Sequence, residues 1–319
     1  MVTPTQLRAF LAVVRRGSVK EASLDLGVSA AAISLHVAQL RKDLGDELFV
    51  RTAAGLAFTP GGLRLASRAA EMLGLQDRTI LEVRGAGGGR RLLRVAASNL
   101  FAEHAAPGLI ELFTSRADDL DVELSVCSPR GFSTLLLTRA ADVAIGPVSP
   151  DVDPSLVCTP FLKYQVVVVV GPGHSLARGQ VSLDQLRSHT WLLGPSAADD
   201  VGVVPAMLRR LRIPEDRQRI FQSDAAALEE TRRNNGLSLA VSFVIGQHLA
   251  KGTLVKVAGP GLQTDAVWSA LTLPERSPKS AVAELIRFVT TPRATQAMLR
   301  GSGVNINHFK PSVHVTLWS

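Results

Sequence analysis

Between Leu7 and Leu73 the apolar residues return at helical spacing in four runs, and each break between runs carries its own punctuation. That pattern confines the start of the chain to a small helical body with one β element. Leu7, Phe10, Leu11 and Val14 fall at i, i+3, i+4 and i+7, one face of a first helix. Gly17-Ser18 ends it, and Ser18 with Glu21 predicts a capping box for a short second helix that packs Ala22 and Leu26. Gly27 permits a tight turn, and Ser29 caps a third helix with Ile33, Val37 and Leu40 facing inward. Two helices joined by so short a turn form a helix-turn-helix. Leu48–Val50 and Leu56–Phe58 suit two strands around a tip at 53–55, a wing. Thr59-Pro60 then opens a fourth helix. Its apolar positions, Leu63, Ala66, Ala70, Leu73 and later Ile80, take steps suited to pairing with a second copy of itself.

The outer face of the third helix, within GVSAAAISLHVAQL, is small, hydroxylated and nearly uncharged. Helix propensity alone would explain the triple alanine. Charge adds a separate constraint. The chain carries a formal +7, and its first 90 residues hold twelve Lys/Arg against eight Asp/Glu. A basic excess at one end favours a polyanionic partner there.

The run RGAGGGRR, with Gly85–Gly89 inside it, predicts a flexible linker and a domain boundary. Beyond it strands and helices alternate. The strands include 92–97, 122–127, 143–145, 165–170, 191–193, 238–241 and 267–272. The helices include 103–114, with Pro107 in its first turn, 197–212 and 279–290. Alternation of this kind predicts an α/β fold with a largely parallel sheet. Some 210 residues exceed one compact half, so two lobes with a cleft are expected.

The segment FLAVVRRGSVKEASLDLGVSAAAISLHVAQLRKDLGDELFVR, followed by FTPGG, resembles the LysR-type transcriptional regulators. The resemblance lies in the spacing of Phe10, Gly17-Ser18, Ala22, Leu26, Ser29, Ser34, Leu40, Leu44-Gly45, Leu48-Phe49, Arg51 and Thr59-Pro60-Gly61. Weaker likeness runs to about residue 304 through RAADVAIGP, VVVVVGPGHSLA, RNNGLSLAV and KGTLVKV. It implies an N-terminal winged helix-turn-helix over 1–59 and a dimerising linker helix with a Gly-rich hinge over 60–90. An effector-binding region over 91–304 follows, with two Rossmann-like lobes of the periplasmic-binding-protein type II kind. The first lobe takes about 91–162 and 268–304, the second about 163–267, and 305–319 is a tail in which Val313, Val315 and Leu317 alternate as an edge strand would.

The implied function is promoter binding by a cytoplasmic homodimer or homotetramer, modulated by a small-molecule effector. The implied DNA contacts are Ser29, Ala31, Ser34, Leu35 and His36 on the third helix and Arg51 on the wing. Two departures weaken a borrowed promoter sequence. Ala30-Ala31 stands where the family commonly has glutamine followed by proline or serine, and Arg41 replaces a glutamate. Effectors of open α/β sheets bind beyond the carboxyl ends of strands. That rule gives Ser98, Asn99, Ser128, Arg130, Gly146, Pro147, Ser196 and Ala197 as effector contacts, with Asp224 and Phe243 expected to close the other wall. Ser196 is expected to cap a helix with Asp199 at its third position. Asp199 and Asp200 already satisfy that helix dipole, unless they are merely solvated acids, so an anion would bind weakly or turn to Arg130. A neutral or cationic ligand, or none, is favoured.

No enzyme signature emerges. There is no G-x-x-x-x-G-K-[ST] loop and no G-x-S-x-G elbow, and GPGHSL lacks the third glycine of a dinucleotide fingerprint. Cys127 and Cys158 sit in no Cys/His pairing, and His174, His308 and His314 form no ligand pattern, so no cofactor or metal is expected. No apolar run approaches the length of a membrane span, and the N-terminus has no secretory signal pattern. An α/β enzyme or solute-binding protein carrying an accessory helix-turn-helix is the competing reading.

Overall fold

The computed structural model describes residues 1–52, 55–88, 91–117, 119–179, 181–274 and 280–300. The chain divides into two compact units, one of 1–88 with 137–140, the other of the remainder. In the first, α1 (Pro4–Arg16), α2 (Val19–Leu26) and α3 (Ala30–Leu44) close around Leu7, Phe10, Val13, Ala22, Ile33, Val37 and Leu40. β1 (Phe49–Thr52) and β2 (Gly55–Phe58) pair antiparallel, and α4 (Pro60–Gly88) follows.

The caps differ from expectation. α1 starts from a capping box that Thr3 and Gln6 make, whereas Ser18 bonds no helix N–H through its hydroxyl. An exposed helix start can leave that duty to water. Leu26 is 37% exposed and does not enter the core. α4 runs through Gly85 to Gly88, where composition predicted a break. The hinge residues 89 and 90, the wing-tip residues 53 and 54, and the tail from 301 lie outside the described residues.

The second unit holds β3 (Arg91–Ala97), α5 (Asn99–His104), α6 (Ala106–Thr114), β4 (Leu120–Val126), α7 (Phe132–Leu137), β5 (Val143–Gly146) and β6 (Val157–Val170). Then come α8 (Leu183–Ser188), β7 (Trp191–Leu193), α9 (Val203–Leu211), β8 (Gln218–Ile220), α10 (Asp224–Arg232), β9 (Leu237–Val241) and α11 (Gly246–Ala250). β10 (Val255–Lys256), β11 (Gln263–Thr272), α12 (Ala281–Val289) and α13 (Pro292–Arg300) complete it. The strand order is β4-β3-β5-β11-β6-β9-β7-β8, with β10 against β6.

The sheet is mixed rather than largely parallel. β3 is parallel to β4 and β5, and β7 to β8 and β9, but β6 and β11 pair antiparallel over ten residues. The N-terminal half of β6 and the C-terminal half of β11 serve the β3 side, which forms one lobe. The other halves serve the β9 side, the second lobe. The register shifts at Trp268/Ser269, where one lobe gives way to the other. Trp268 is fully buried at this crossing, stacked on Tyr164 and edge-on to Phe101 and Phe243.

Two helices begin later than the sequence suggested, for one reason. Proline is at ease only in the first turn, where no intrahelical N–H bond is lost. Pro107 therefore opens α6, and a separate α5 fills 99–104. Pro205 likewise makes α9 start at Val203, behind Gly202, and Pro195–Ala198 forms a 3₁₀ turn instead.

Candidate functional site

α2 and α3 meet at 109° across Gly27, which holds φ +64. Ser29 caps α3 by accepting the Ala32 N–H at 3.2 Å. Ile33, Val37 and Leu40 turn inward; Ala31, Ser34, Leu35 and Ala38 turn outward, with Leu35 68% exposed and His36 half-buried. Three of the expected DNA-facing residues, Ala31, Ser34 and Leu35, thus share the free side of one helix, with Ser29 at its start and half-buried His36 on its flank. Arg51 lies in β1 opposite Leu56, and its side chain is outside what the structure describes.

Several cations of this unit have internal duties. Arg15 and Arg16 both grip Asp25, tying α1 to α2, and the Arg16 guanidinium holds the Asp25 carboxyl below its ordinary pKa. Arg41 donates to the Phe49 carbonyl at 2.6 Å and covers the Phe49 ring, which docks the wing on α3. Arg41 is thus a structural strut in a position where the sequence only showed a missing glutamate. Lys20, Lys42 and Arg64 are exposed. The wing base is knotted by Asp46, whose Oδ1 accepts the Leu48 N–H and the Thr59 hydroxyl, each at 2.6 Å. Those two bonds hold the Asp46 carboxyl below its usual pKa, the Thr59 bond contributing most. Thr59 in turn caps α4, as its position before Pro60 predicts.

α4 packs Ala69 and Leu73 on the helical core. Further along, Met72, Leu75, Ile80 and Val83 are exposed, so the apolar surface of the helix outlasts the body it covers.

In the second unit the strand ends converge as expected, though not every named residue meets. Ser98, Pro147 and Ser196 line one cavity with Leu100, Tyr164, Asp199 and the start of α9. Its volume is about 10 Å³, room for roughly one water. Ser196 is buried inside the 3₁₀ turn and caps nothing, and Asp199 follows that turn rather than a helix start. Burial pushes the Asp199 carboxyl above its ordinary pKa, opposed by a hydrogen bond from Ser128 and assisted by Asp200. Arg130 pairs with Asp200 at 2.8 Å across the lobes, so it is already engaged. Ser98 Oγ is buried without a hydrogen-bond partner. Gly146 sits so close to Ser98 and Phe132 that a Cβ would come within 2.9 Å of both. Asn99 opens α5, Ala197 lies in the 3₁₀ turn, and Phe243 packs on Trp268; none of the three lines the cavity.

Asp224, the remaining candidate, opens α10 and is buried beside His104. Its neighbour Glu103, which no sequence motif marks, accepts the Asp224 and Ala225 N–H groups at 2.9 and 2.8 Å. A carboxylate of the first lobe thereby occupies the α10 N-terminus, the kind of place an anionic ligand would otherwise seek.

A winged helix-turn-helix and a two-lobed α/β region in one chain define a DNA-binding protein with an appended small-molecule-binding fold. Residues 4–63 match the model of the bacterial regulatory helix-turn-helix proteins, lysR family, and residues 86–292 that of the LysR substrate binding domain. The chain belongs to the LysR family and is a DNA-binding transcriptional regulator with an effector-binding domain. It is 57% identical over 321 residues to the HTH-type transcriptional regulator Rv0377 of Mycobacterium tuberculosis H37Rv, covering all of both chains. It is 28% identical over 265 residues to the HTH-type transcriptional regulator YeiE of Escherichia coli K12, covering 81% of this chain and 87% of that one. The same fold is seen in ArgP from Mycobacterium tuberculosis, with TM-score 0.60 at 19% identity over 92% of this chain and 98% of that one. It recurs in full-length CbnR complexed with its target DNA, with TM-score 0.55 at 20% identity over 94% and 99%. Among the described residues no single helix is long and apolar enough to cross a membrane.

Proposed function

We propose that this regulator reads promoter DNA with the outward side of α3, through Ser29, Ala31, Ser34, Leu35 and His36, while Arg51 grips phosphate from the wing. The observation that carries the reading is the division of α3 itself. Ile33 and Leu40 are wholly buried, whereas Leu35, a large apolar residue, stands exposed with no acid beside it at Ser34 or His36. An apolar side chain so placed suits a thymine methyl group, and serine and histidine suit phosphates or base edges. With no glutamine at Ala30 or Ala31, sequence preference leans on DNA shape and bending.

The protein acts in the cytoplasm, as a homodimer through the exposed apolar surface of α4 and as a homotetramer where two dimers meet, and it is not an enzyme. The cleft lined by Ser98, Pro147, Ser196 and Asp199 takes a small effector when the lobes part about the crossing strands. That effector is neutral or cationic, because Arg130 is paired with Asp200 and Glu103 already fills the α10 N-terminus. An effector that prefers one lobe arrangement shifts the population of DNA-bending states. The test is footprinting on the DNA flanking this protein's own gene, with and without candidate metabolites. Protection of about 50–60 base pairs is expected for a bent-DNA tetramer, and one or two helical turns for a simple dimer. No protection on any flanking segment, with binding insensitive to salt, would refute the reading.

A further inference from the structure

Glu103 and His104 end α5 on one lobe, and Asp224 begins α10 on the other. Donor atoms of the three lie within 4.8 Å of one another. Glu103 is fixed by its two backbone N–H bonds, and His104 Nε2 stands 3.6 Å from Asp224 Oδ2. Asp224 is only 7% exposed, and its Oδ2 finds no hydrogen-bond donor: the Asp224 and Ala225 N–H groups go to Glu103 and the Ala226 N–H to the Ser223 hydroxyl. A buried carboxylate oxygen with no donor, beside a second carboxylate, is costly unless a positive charge joins it.

We propose that Glu103, His104 and Asp224 bind a divalent transition-metal ion of the zinc type, which pins the two lobes together. One imidazole nitrogen and two carboxylates suit zinc or manganese. The imidazole disfavours magnesium and calcium, and the absence of thiolate from the set disfavours copper(I). Donors 3.6 Å apart accommodate two bonds of about 2.1 Å meeting at roughly 120°. Glu103 keeps its two N–H bonds and offers a remaining lone pair, so the set closes when the His104 and Asp224 side chains turn towards it, which leaves a coordination position for water. The N–H bonds from Asp224 and Ala225 hold the Glu103 carboxylate in place, as outer partners of metal ligands do. The ion would bias the same lobe equilibrium that the proposed effector acts on, yet its binding does not depend on the regulatory reading.

The test uses the full-length protein, stripped with a chelator and titrated with Zn²⁺ against a chromophoric competitor. One zinc per chain is expected, weakened at least about tenfold in His104→Gln and in Asp224→Asn, with no comparable uptake of Mg²⁺. Zinc should also raise the melting temperature of the wild type more than that of either variant. Far-UV circular dichroism checks that the variants fold. If they do not, Co²⁺ bound to the wild type should show ligand-field bands of a nitrogen/oxygen set without thiolate charge transfer. Absence of stoichiometric zinc, equal affinity in wild type and folded variants, or a thiolate spectrum would overturn the proposal. Binding to duplex DNA, measured in parallel without zinc, tests the regulator reading separately, so the two can fail independently.

Discussion

Replacing Leu35 by glutamate should separate folding from DNA binding more cleanly than any other single change. Leu35 is 68% exposed, so the substitution removes little buried apolar surface, and stability should stay within about 0.5 kcal/mol of wild type. Placed in the groove, the new carboxylate would sit about 6 Å from a phosphate, where like charges repel by about 1–3 kcal/mol between water-like and surface-like dielectric. That corresponds to a loss of roughly fivefold to a hundredfold in affinity. The buried partner for comparison is Ile33→Ala on the same helix. Ile33 has no exposed surface, so the cavity should cost about 2–5 kcal/mol and lower the melting temperature of the first unit by about 10 °C or more. Thermal melts and fluorescence anisotropy on the upstream DNA of the protein's own gene give both readings, with a random duplex as reference. Leu35→Glu that melts normally but still binds like wild type would refute the assignment of α3. So would Leu35→Glu that unfolds the domain.

Three further outcomes are expected. Gly62→Ala should destabilise the wing base by about 3 kcal/mol, because its Cβ would fall 1.8 Å from the Leu48 carbonyl oxygen, a clash that thermal melting would register. Asp199→Asn should raise the melting temperature at neutral pH. The folded carboxyl of Asp199 has a raised pKa, so folding is disfavoured when the group is charged, and the penalty is relieved as pH falls through the folded value. The advantage of the asparagine should therefore shrink as melts are taken from pH 7 towards about pH 4; an advantage constant over that range would count against the assignment. Arg130→Ala should change stability by less than about 1 kcal/mol, since the Arg130–Asp200 pair is exposed. If it shifts DNA affinity or bending in gel mobility, the pair acts on lobe geometry rather than on folding.

What the sequence made legible followed from local rules. The inner and outer faces of α3, the wing, the Thr59 cap and most strands of the second unit came from periodicity and turn chemistry. Pro107 holds a helix first turn as expected, although a separate α5 takes the residues before it, whereas Pro205 moves the α9 start to Val203 and strips Ser196 of its capping role. Leu48, buried with φ +61, carries no sequence signal, because a bulky residue in that region is held there by its surroundings. The Glu103–Asp224 contact joins residues 121 apart and the Arg41 strut serves a strand eight residues on; both arise only when tertiary packing brings the partners together. The antiparallel course of β6 and β11 was hidden for a similar reason. The direction in which two strands pair is set by residues about 100 apart, and neither strand's own pattern records it.

That course has a consequence for synthesis on the ribosome. β5 ends at Gly146, but the strand that must cover its far edge, β11, lies at Gln263–Thr272. About 120 residues intervene, or on the order of 10 s of translation. For that interval the nascent chain carries a bare, apolar Val143–Ile145 margin, open to mispairing with any extended neighbour. The order of the strands thus leaves a half-made product with one unpaired edge until its last strand emerges.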